Sequence, residues 1–303
     1  MSRLLSDLGE RGFINELRNR FPLAMAGDDA AVLGSIKTPV VTTDSFFQGT
    51  HFHNWWTTPD KLAARLLEAT LSDLAAMGAE PVCVFSSIML PPEMELDWMI
   101  GFYSGLTARG DSPVAGGETI RGEKFGITLT AIGDCTKGKP FMRSQAAPGD
   151  SLWVTGPLGR TMNSPALLEK SRKSKLTDAE REQVNAFLSP KARFDAVPYL
   201  RRSGCRCAID ISDGLFSECG HICMESSVGI EVDLDRVPLV PYCTGRAVEA
   251  CSAGEDFELL FTLPPEKTSP FTRIGKVVYE NGLTVLSEGK VLSVGKRGFD
   301  HFS

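Results

Sequence analysis

CRCAIDISDGLFSECGHICMESSVGIEVDL, residues 205–234, decides the fold class of this chain. CRCAIDIS is an apolar run that ends among acids, the pattern of a buried strand. GLFSECGHICMESS reads as a helix, and GIEVDL as a second strand. Outward on the C-terminal side comes the strand-like DFELLFTL (256–263). On the other side lie a helix ending at Ser203-Gly204, a polar helical stretch (LTDAEREQVNAFL, 176–188) and the strand-turn pattern SLWVTGPLG (151–159). Strands alternating with helices place the chain in the α/β (α+β) class.

The same alternation fills the first half. TPVVTTD (38–44) is β-branched and ends in an acid, as a strand delivering a side chain to a site would. Pro59-Asp60 opens a long helix through KLAARLLEATLSDLAAMG, closed by Gly78. EPVCVFSSIML (80–90) is a buried strand, a helix runs from about residue 95 to 108, and SPVAGGET and KFGITLTAIGDC follow as strands. Residues 3–21 have the pattern of an amphipathic helix, with Leu4, Leu5, Leu8, Ile14, Leu17 and Phe21 between charges. The turn-rich Arg143–Asp150 marks a composition break, so a domain of residues 1–145 is expected before one of residues 146–303.

With 303 residues, 42% hydrophobic and 23% charged, the chain can bury a sizeable core. A net charge of -6 argues against tracking a nucleic-acid backbone; Lys170–Lys175 and Arg201-Arg202 read as solvated surface. No charge-free window is long enough to span a bilayer and no apolar signal core begins the chain, so no membrane partner and a cytoplasmic location are expected. The eight cysteines read as free, buried thiols, because Cys205-x-Cys207 and Cys219-x3-Cys223 match no common closed zinc spacing.

The carboxylates set this chain apart. Asp28 and Asp29 sit in a turn, Asp44 ends a strand, Glu118 follows Gly116-Gly117, and Asp210 and Asp213 bracket Ser212 at a strand-to-helix junction. Singly, each has a bland reading: turn former, N-cap, or partner of Arg121. Asp73 is harder to dismiss. It lies among leucines and alanines near a helix C-terminus, where the macrodipole opposes it and no Lys or Arg follows within a turn. Acids gathered at one place repel unless cations lie between them. Magnesium, shared between carboxylates and phosphates, is the natural partner, and phosphoryl transfer is the chemistry it serves. Neither a G-x4-G-K-[ST] loop, a G-x-G-x-x-G turn nor the protein-kinase set is present.

GDDAAVL, TTD before GTHF, LSDLAAMGAEP, AGGETIRG, RSQAAPGDSLWVTGPLG, AIDISDGL, GEDFELLFT and the terminal GFDHF resemble, in order and over nearly the whole chain, the thiamine-monophosphate kinase family. That family belongs with aminoimidazole ribonucleotide synthetase, selenophosphate synthetase and the hydrogenase-maturation dehydratase. The resemblance implies the two-domain aminoimidazole ribonucleotide synthetase-like fold, with mixed sheets flanked by helices. It also implies a homodimer formed through the N-terminal domain, ATP near the interface, and phosphorylation of thiamine monophosphate to thiamine diphosphate. Carried over by position, Asp29, Thr42, Asp44, Asp73, Asp210 and Asp213 correspond to magnesium ligands, with Glu118 where Asp is usual. Gly117, Glu118, Arg143, Ser212 and Tyr103 correspond to ATP contacts, and His51, Glu255 and Phe299 to residues holding the thiamine end. Asp44, Asp73, Asp213 and Arg143 would carry catalysis, with no general base, since the attacking phosphate oxygen is already ionised. Gln48, Arg160 and Phe257 also depart from the family pattern.

Three rivals are weighed. A selenophosphate synthetase would carry a reactive Cys or selenocysteine near a lysine in a glycine-rich N-terminal segment, and the hydrogenase-maturation protein would end in cysteine; this chain has neither feature. A non-catalytic dimer that binds nucleotide or thiamine phosphate would have little use for so many acids.

Overall fold

In the computed structural model, which describes residues 3–23, 25, 29–295, 298 and 299, the amphipathic N-terminal pattern forms helix α1 (Leu5–Arg20). Gly9 interrupts it with non-helical angles (φ 65°, ψ 172°), a kink that only glycine takes without strain. The β-branched stretch Pro39–Phe47 is β1, the edge of a four-stranded sheet completed by β2 (Glu80–Leu90), β3 (Val114–Arg121) and β4 (Gly126–Asp134) in the order β1-β4-β2-β3. β4 is antiparallel to both neighbours, and β2 and β3 run parallel.

Helices α2 (Pro59–Ala76) and α3 (Leu96–Leu106) belong to the same half. Leu62, Leu66, Leu67, Leu71 and Leu74 of α2 recur at helical spacing and are each at most 2% exposed. Such a leucine contributes roughly 1.5–3 kcal/mol by leaving water. Along α3, Phe102 meets Phe125 edge-on at 5.2 Å, and Trp98 meets the same ring at 5.1 Å. By contact the chain divides into a unit of residues 1–74 with 79–137 and a unit of residues 75–78 with 138–303.

The second unit is built on a seven-stranded mixed sheet, ordered β11-β10-β7-β9-β5-β8-β6. Its strands are β5 (Ser151–Val154), β6 (Cys207–Asp210), β7 (Gly229–Asp233), β8 (Leu259–Leu263), β9 (Thr272–Val278), β10 (Gly282–Ser287) and β11 (Lys290–Leu292). Its helices are α4 (Ser164–Ser171), α5 (Asp178–Leu188), α6 (Val197–Arg202), α7 (Leu215–Ser226) and α8 (Ala247–Cys251). Every residue of β5, β6 and β8 is buried. Strand period explains this: Leu152, Val154, Ile209 and Leu260 join a core with α7, while Trp153, Ala208, Leu259 and Phe261 join one with α6 on the other face.

α4, α8 and β9 to β11 are elements that the sequence reading does not reach. All eight cysteines are buried and free. Among the described residues, no helix is long and apolar enough to cross a membrane.

Candidate active site

In the first unit, the two-residue period of β1 sends Thr42 and Asp44 to one face and Thr43 and Ser45 to the other. Thr43 and Ser45 hydrogen-bond across to Thr130 (3.1 Å) and Thr128 (2.8 Å) of β4. On the opposite face Thr42 Oγ1 donates to Asp73 Oδ2 at 2.5 Å, so α2 delivers its misplaced acid to β1. Burial, and then the charge of Asp73, push Asp44 up to about 6, against the pull of the Thr70 hydroxyl. Two carboxylates and a hydroxyl are hard oxygen donors with excess negative charge, a set that fits magnesium.

His51 belongs to the turn after β1. Its Nδ1 accepts the Phe47 N–H (3.0 Å), which puts the ring proton on Nε2, and Arg65 donates to its carbonyl at 3.3 Å. Gly117 approaches β2 so closely that a Cβ would stand 1.9 Å from Ser86 O. Tyr103 is 6% exposed, its hydroxyl 3.4 Å from Ser86 Oγ, and burial raises its phenol. Glu118 pairs in register with Ser87, on the face that carries Ser45 and away from Asp44 and Asp73; it accepts the Thr119 N–H at 2.9 Å. Gln48, where the family often has an acid, accepts the Phe125 N–H at 3.2 Å. Asp29 is exposed in a bend, and Asp28 lies outside the described residues. Among the described residues, no three His, Cys, Asp or Glu side chains gather as a metal centre would.

The second unit assembles its residues around one turn. Asp210, 2% exposed, ends β6; Ser212 and Asp213 follow, and Gly214 (φ 119°) opens α7. Ser212 O accepts the Glu255 N–H at 2.7 Å and Asp213 O accepts the Phe299 N–H at 3.0 Å. Two successive carbonyls of the acid-bearing turn therefore hold the backbone of Glu255 and of Phe299. Arg143 lies in a short helical turn whose carbonyl accepts the Ser226 hydroxyl at 2.6 Å, while its side chain is exposed.

Sequence reasoning missed Glu218, an acid among apolar residues like Asp73 but in the first turn of α7, where the macrodipole favours it and so hides the signal. Glu218 accepts the Asp213 N–H at 3.1 Å. Burial raises it to about 7, while that N–H and the charge of Arg143 act the other way.

The GEDFEL segment holds a second missed group. Asp256 accepts the N–H groups of Gly159 (2.7 Å) and Arg160 (2.9 Å), and burial pushes its carboxyl up to about 7. Glu258 accepts from Arg160 (2.7 Å), Arg193 and the Thr155 hydroxyl (2.6 Å). Arg160, a departure from the family pattern, is thus bound to the segment that carries Glu255. A cavity of about 640 Å³ opens here, with Arg160, Lys191, Arg193, Glu255 and Glu258 in its wall.

The family model described as AIR synthase related protein, N-terminal domain, matches residues 27–135, and the C-terminal domain model matches residues 147–287. Read from the sequence, Asp44 ends its strand, but β1 runs on to Phe47. The two models in this order, with acids within β1, in α2 and at and after the end of β6, define an AIR synthase related protein. Over 314 residues the chain is 32% identical to the thiamine-monophosphate kinase of Aquifex aeolicus, covering 98% of this chain and 99% of the relative. To that of Salmonella typhimurium it is 35% identical over 305 residues, 91% of each. AaThiL complexed with AMPPCP and TMP matches with a TM-score of 0.80 at 30% identity over 100% of both chains. Escherichia coli HypE, at 17% identity and a TM-score of 0.76 over 97% and 99% of the two chains, shares the fold. The chain belongs to the thiamine-monophosphate kinase family.

Proposed function

We propose that the chain transfers the γ-phosphoryl group of ATP to the phosphate of thiamine monophosphate, in the cytoplasm. The observation that carries this is the end-to-end likeness to AaThiL complexed with AMPPCP and TMP. A phosphate oxygen of the acceptor attacks the γ-phosphorus, the bond to the β–γ bridging oxygen breaks, and ADP departs as thiamine diphosphate forms. The acceptor oxygen is already ionised, so positioning and charge neutralisation are the protein's tasks.

Thr42, Asp44 and Asp73 in the first unit, and Asp210 and Asp213 in the second, would hold magnesium, with Asp29 a further candidate. Glu118, on the sheet face away from Asp44 and Asp73, would serve only an ion that those two do not hold. When bound, the ion supplies positive charge to phosphates that would otherwise repel these carboxylates. Arg143 would bind phosphate oxygens by charge-assisted hydrogen bonds. Ser212, Gly117 and Tyr103 would attend ATP, and His51, Glu255 and Phe299 the thiamine end. Incubated with ATP, magnesium and thiamine monophosphate, the protein should release ADP and thiamine diphosphate in equal amounts. ATP consumption that ignores thiamine monophosphate, or none by folded, metal-loaded protein, would exclude this reaction.

The chain would act as a homodimer. One face of the four-stranded sheet leaves Val41 61%, Phe47 40% and Ile120 46% exposed, the apolar kind of surface that a second copy covers. Sedimentation should give a dimer that Val41→Lys with Ile120→Lys splits; a parent monomer at micromolar concentration would count against it.

A further inference from the structure

Four described non-glycine residues have left-handed φ, and two of them, Glu255 (65°) and Phe257 (52°), flank Asp256. That conformation is unfavourable for an L-residue, so it persists only where the surroundings impose it. Here they do. The Glu255 and Phe257 N–H groups donate to Ser212 O and Ile211 O at 2.7 and 2.9 Å. Thr161 Oγ1 donates to Gly254 O at 2.6 Å, and a Cβ on Gly254 would stand 2.4 Å from Ser212 O. Asp256, 3% exposed, holds the Gly159 and Arg160 N–H groups with its two carboxylate oxygens, while its carbonyl accepts from the Arg160 guanidinium at 3.3 Å. Residues 254–257 form a clip closed on the 159–161 turn, and Glu255 lies in the cavity wall beside it.

We propose that Asp256 is a positioning residue acting through Glu255: by gripping the 159–161 turn it fixes the left-handed backbone that presents the Glu255 carboxylate to the cationic end of the substrate. This rests on the assignment of Glu255 to the thiamine end. The physical gain is preorganisation, because a carboxylate already held in place loses less freedom when the cation arrives. Thr161 supports the same clip from the other side of the turn. Arg160, through its guanidinium, ties the clip to Glu258 as well.

Asp256→Asn keeps the volume but turns an amide NH2 toward a backbone donor. In the full-length protein, amide exchange at residues 255 and 257 should quicken about tenfold or more as the clip loosens. The calorimetric Kd for thiamine monophosphate should rise about tenfold, while that for a non-hydrolysable ATP analogue stays within about twofold. Glu255→Gln should weaken the same ligand, and Asp256→Asn added to it should change Kd by less than about twofold, since both act through one carboxylate. Thr161→Ala leaves the buried acid in place and should give the same pattern at smaller size, which keeps the test decisive if Asp256→Asn folds poorly. Unchanged exchange at 255 and 257, equal losses for both ligands, or additive effects in the double variant would overturn the proposal. A parent that binds no thiamine monophosphate would sink the substrate assignment instead, and exchange would still decide whether Asp256 holds Glu255.

Discussion

Asp44→Asn should lower the rate of thiamine diphosphate formation on the order of 1,000-fold and, in metal-free buffer, raise the melting temperature. The first effect follows from charge. An ion held by fewer carboxylates supplies less stabilisation to the phosphates in the transition state; a loss of about 4 kcal/mol corresponds to that factor. The second follows from burial. Asp44 sits beside Asp73 in a desolvated place that lifts it from the ordinary 3.8 to about 6. A raised acid favours the folded state only while it is protonated. Its contribution is complete below about pH 4 and is lost as pH rises through about 6.

Asparagine stays neutral throughout. Without metal, the variant should match the parent near pH 3.5 and exceed it at pH 8, by on the order of 1–2 kcal/mol after allowance for solvent screening. Magnesium should then raise the melting temperature of the parent more than that of the variant. Thermal melts at both pH values, with chelator and with magnesium, read all of this beside the activity assay. A variant that stays active, or melts below the parent at pH 8 without metal, would show that Asp44 is not a strained metal ligand.

How far residues announce their place differs between the two units. Thr42 and Asp44 could be placed on one face from a β-branched run, and Asp73 could be recognised as misplaced from its apolar helix. Their meeting joins residues 31 apart in the chain, which no local pattern encodes. Glu118 shows the limit more sharply. Its motif is plain, but the register of β2, β3 and β4 puts it on the face opposite Asp44, and register is a property of pairing, not of the motif. The strand-turn-helix at Asp210–Leu215 was legible because apolar runs and a glycine mark it. The docking of Glu255 and Phe299 on its carbonyls was not, because backbone hydrogen bonds carry no side-chain signature. β9 to β11 escaped for another reason: TRIGKVV, GLTVLS and KVL are half-exposed and interrupted by glycine and charge, unlike the fully buried β5, β6 and β8.

Glu258→Ala should destabilise the second unit more than any single loss on its surface. Glu258 is 2% exposed and accepts from two guanidiniums and a threonine hydroxyl, while that hydroxyl accepts the Leu259 N–H at 2.8 Å. Truncation leaves a void and strands three donors that had converged on one carboxylate. Removing one partner from a buried ion pair costs about 3–5 kcal/mol. The lower end applies here, because Arg160 is 37% exposed and can turn to water, and Arg193 keeps both bonds to Asp195, at 2.9 and 3.0 Å. About 3 kcal/mol in a unit of this size lowers the melting temperature by roughly 6–12 °C. Glu258→Gln retains the volume and an acceptor oxygen but loses the charge, so its loss should be about half as large. Calorimetry on the two variants separates the causes. Equal losses would assign the cost to charge, whereas a glutamine variant as stable as the parent would assign it to packing and leave the guanidiniums satisfied by solvent. A loss below about 1 kcal/mol in both would mean that Arg160 and Arg193 stand outside the stable core of the unit, and that the 254–258 segment holds its shape through backbone bonds alone.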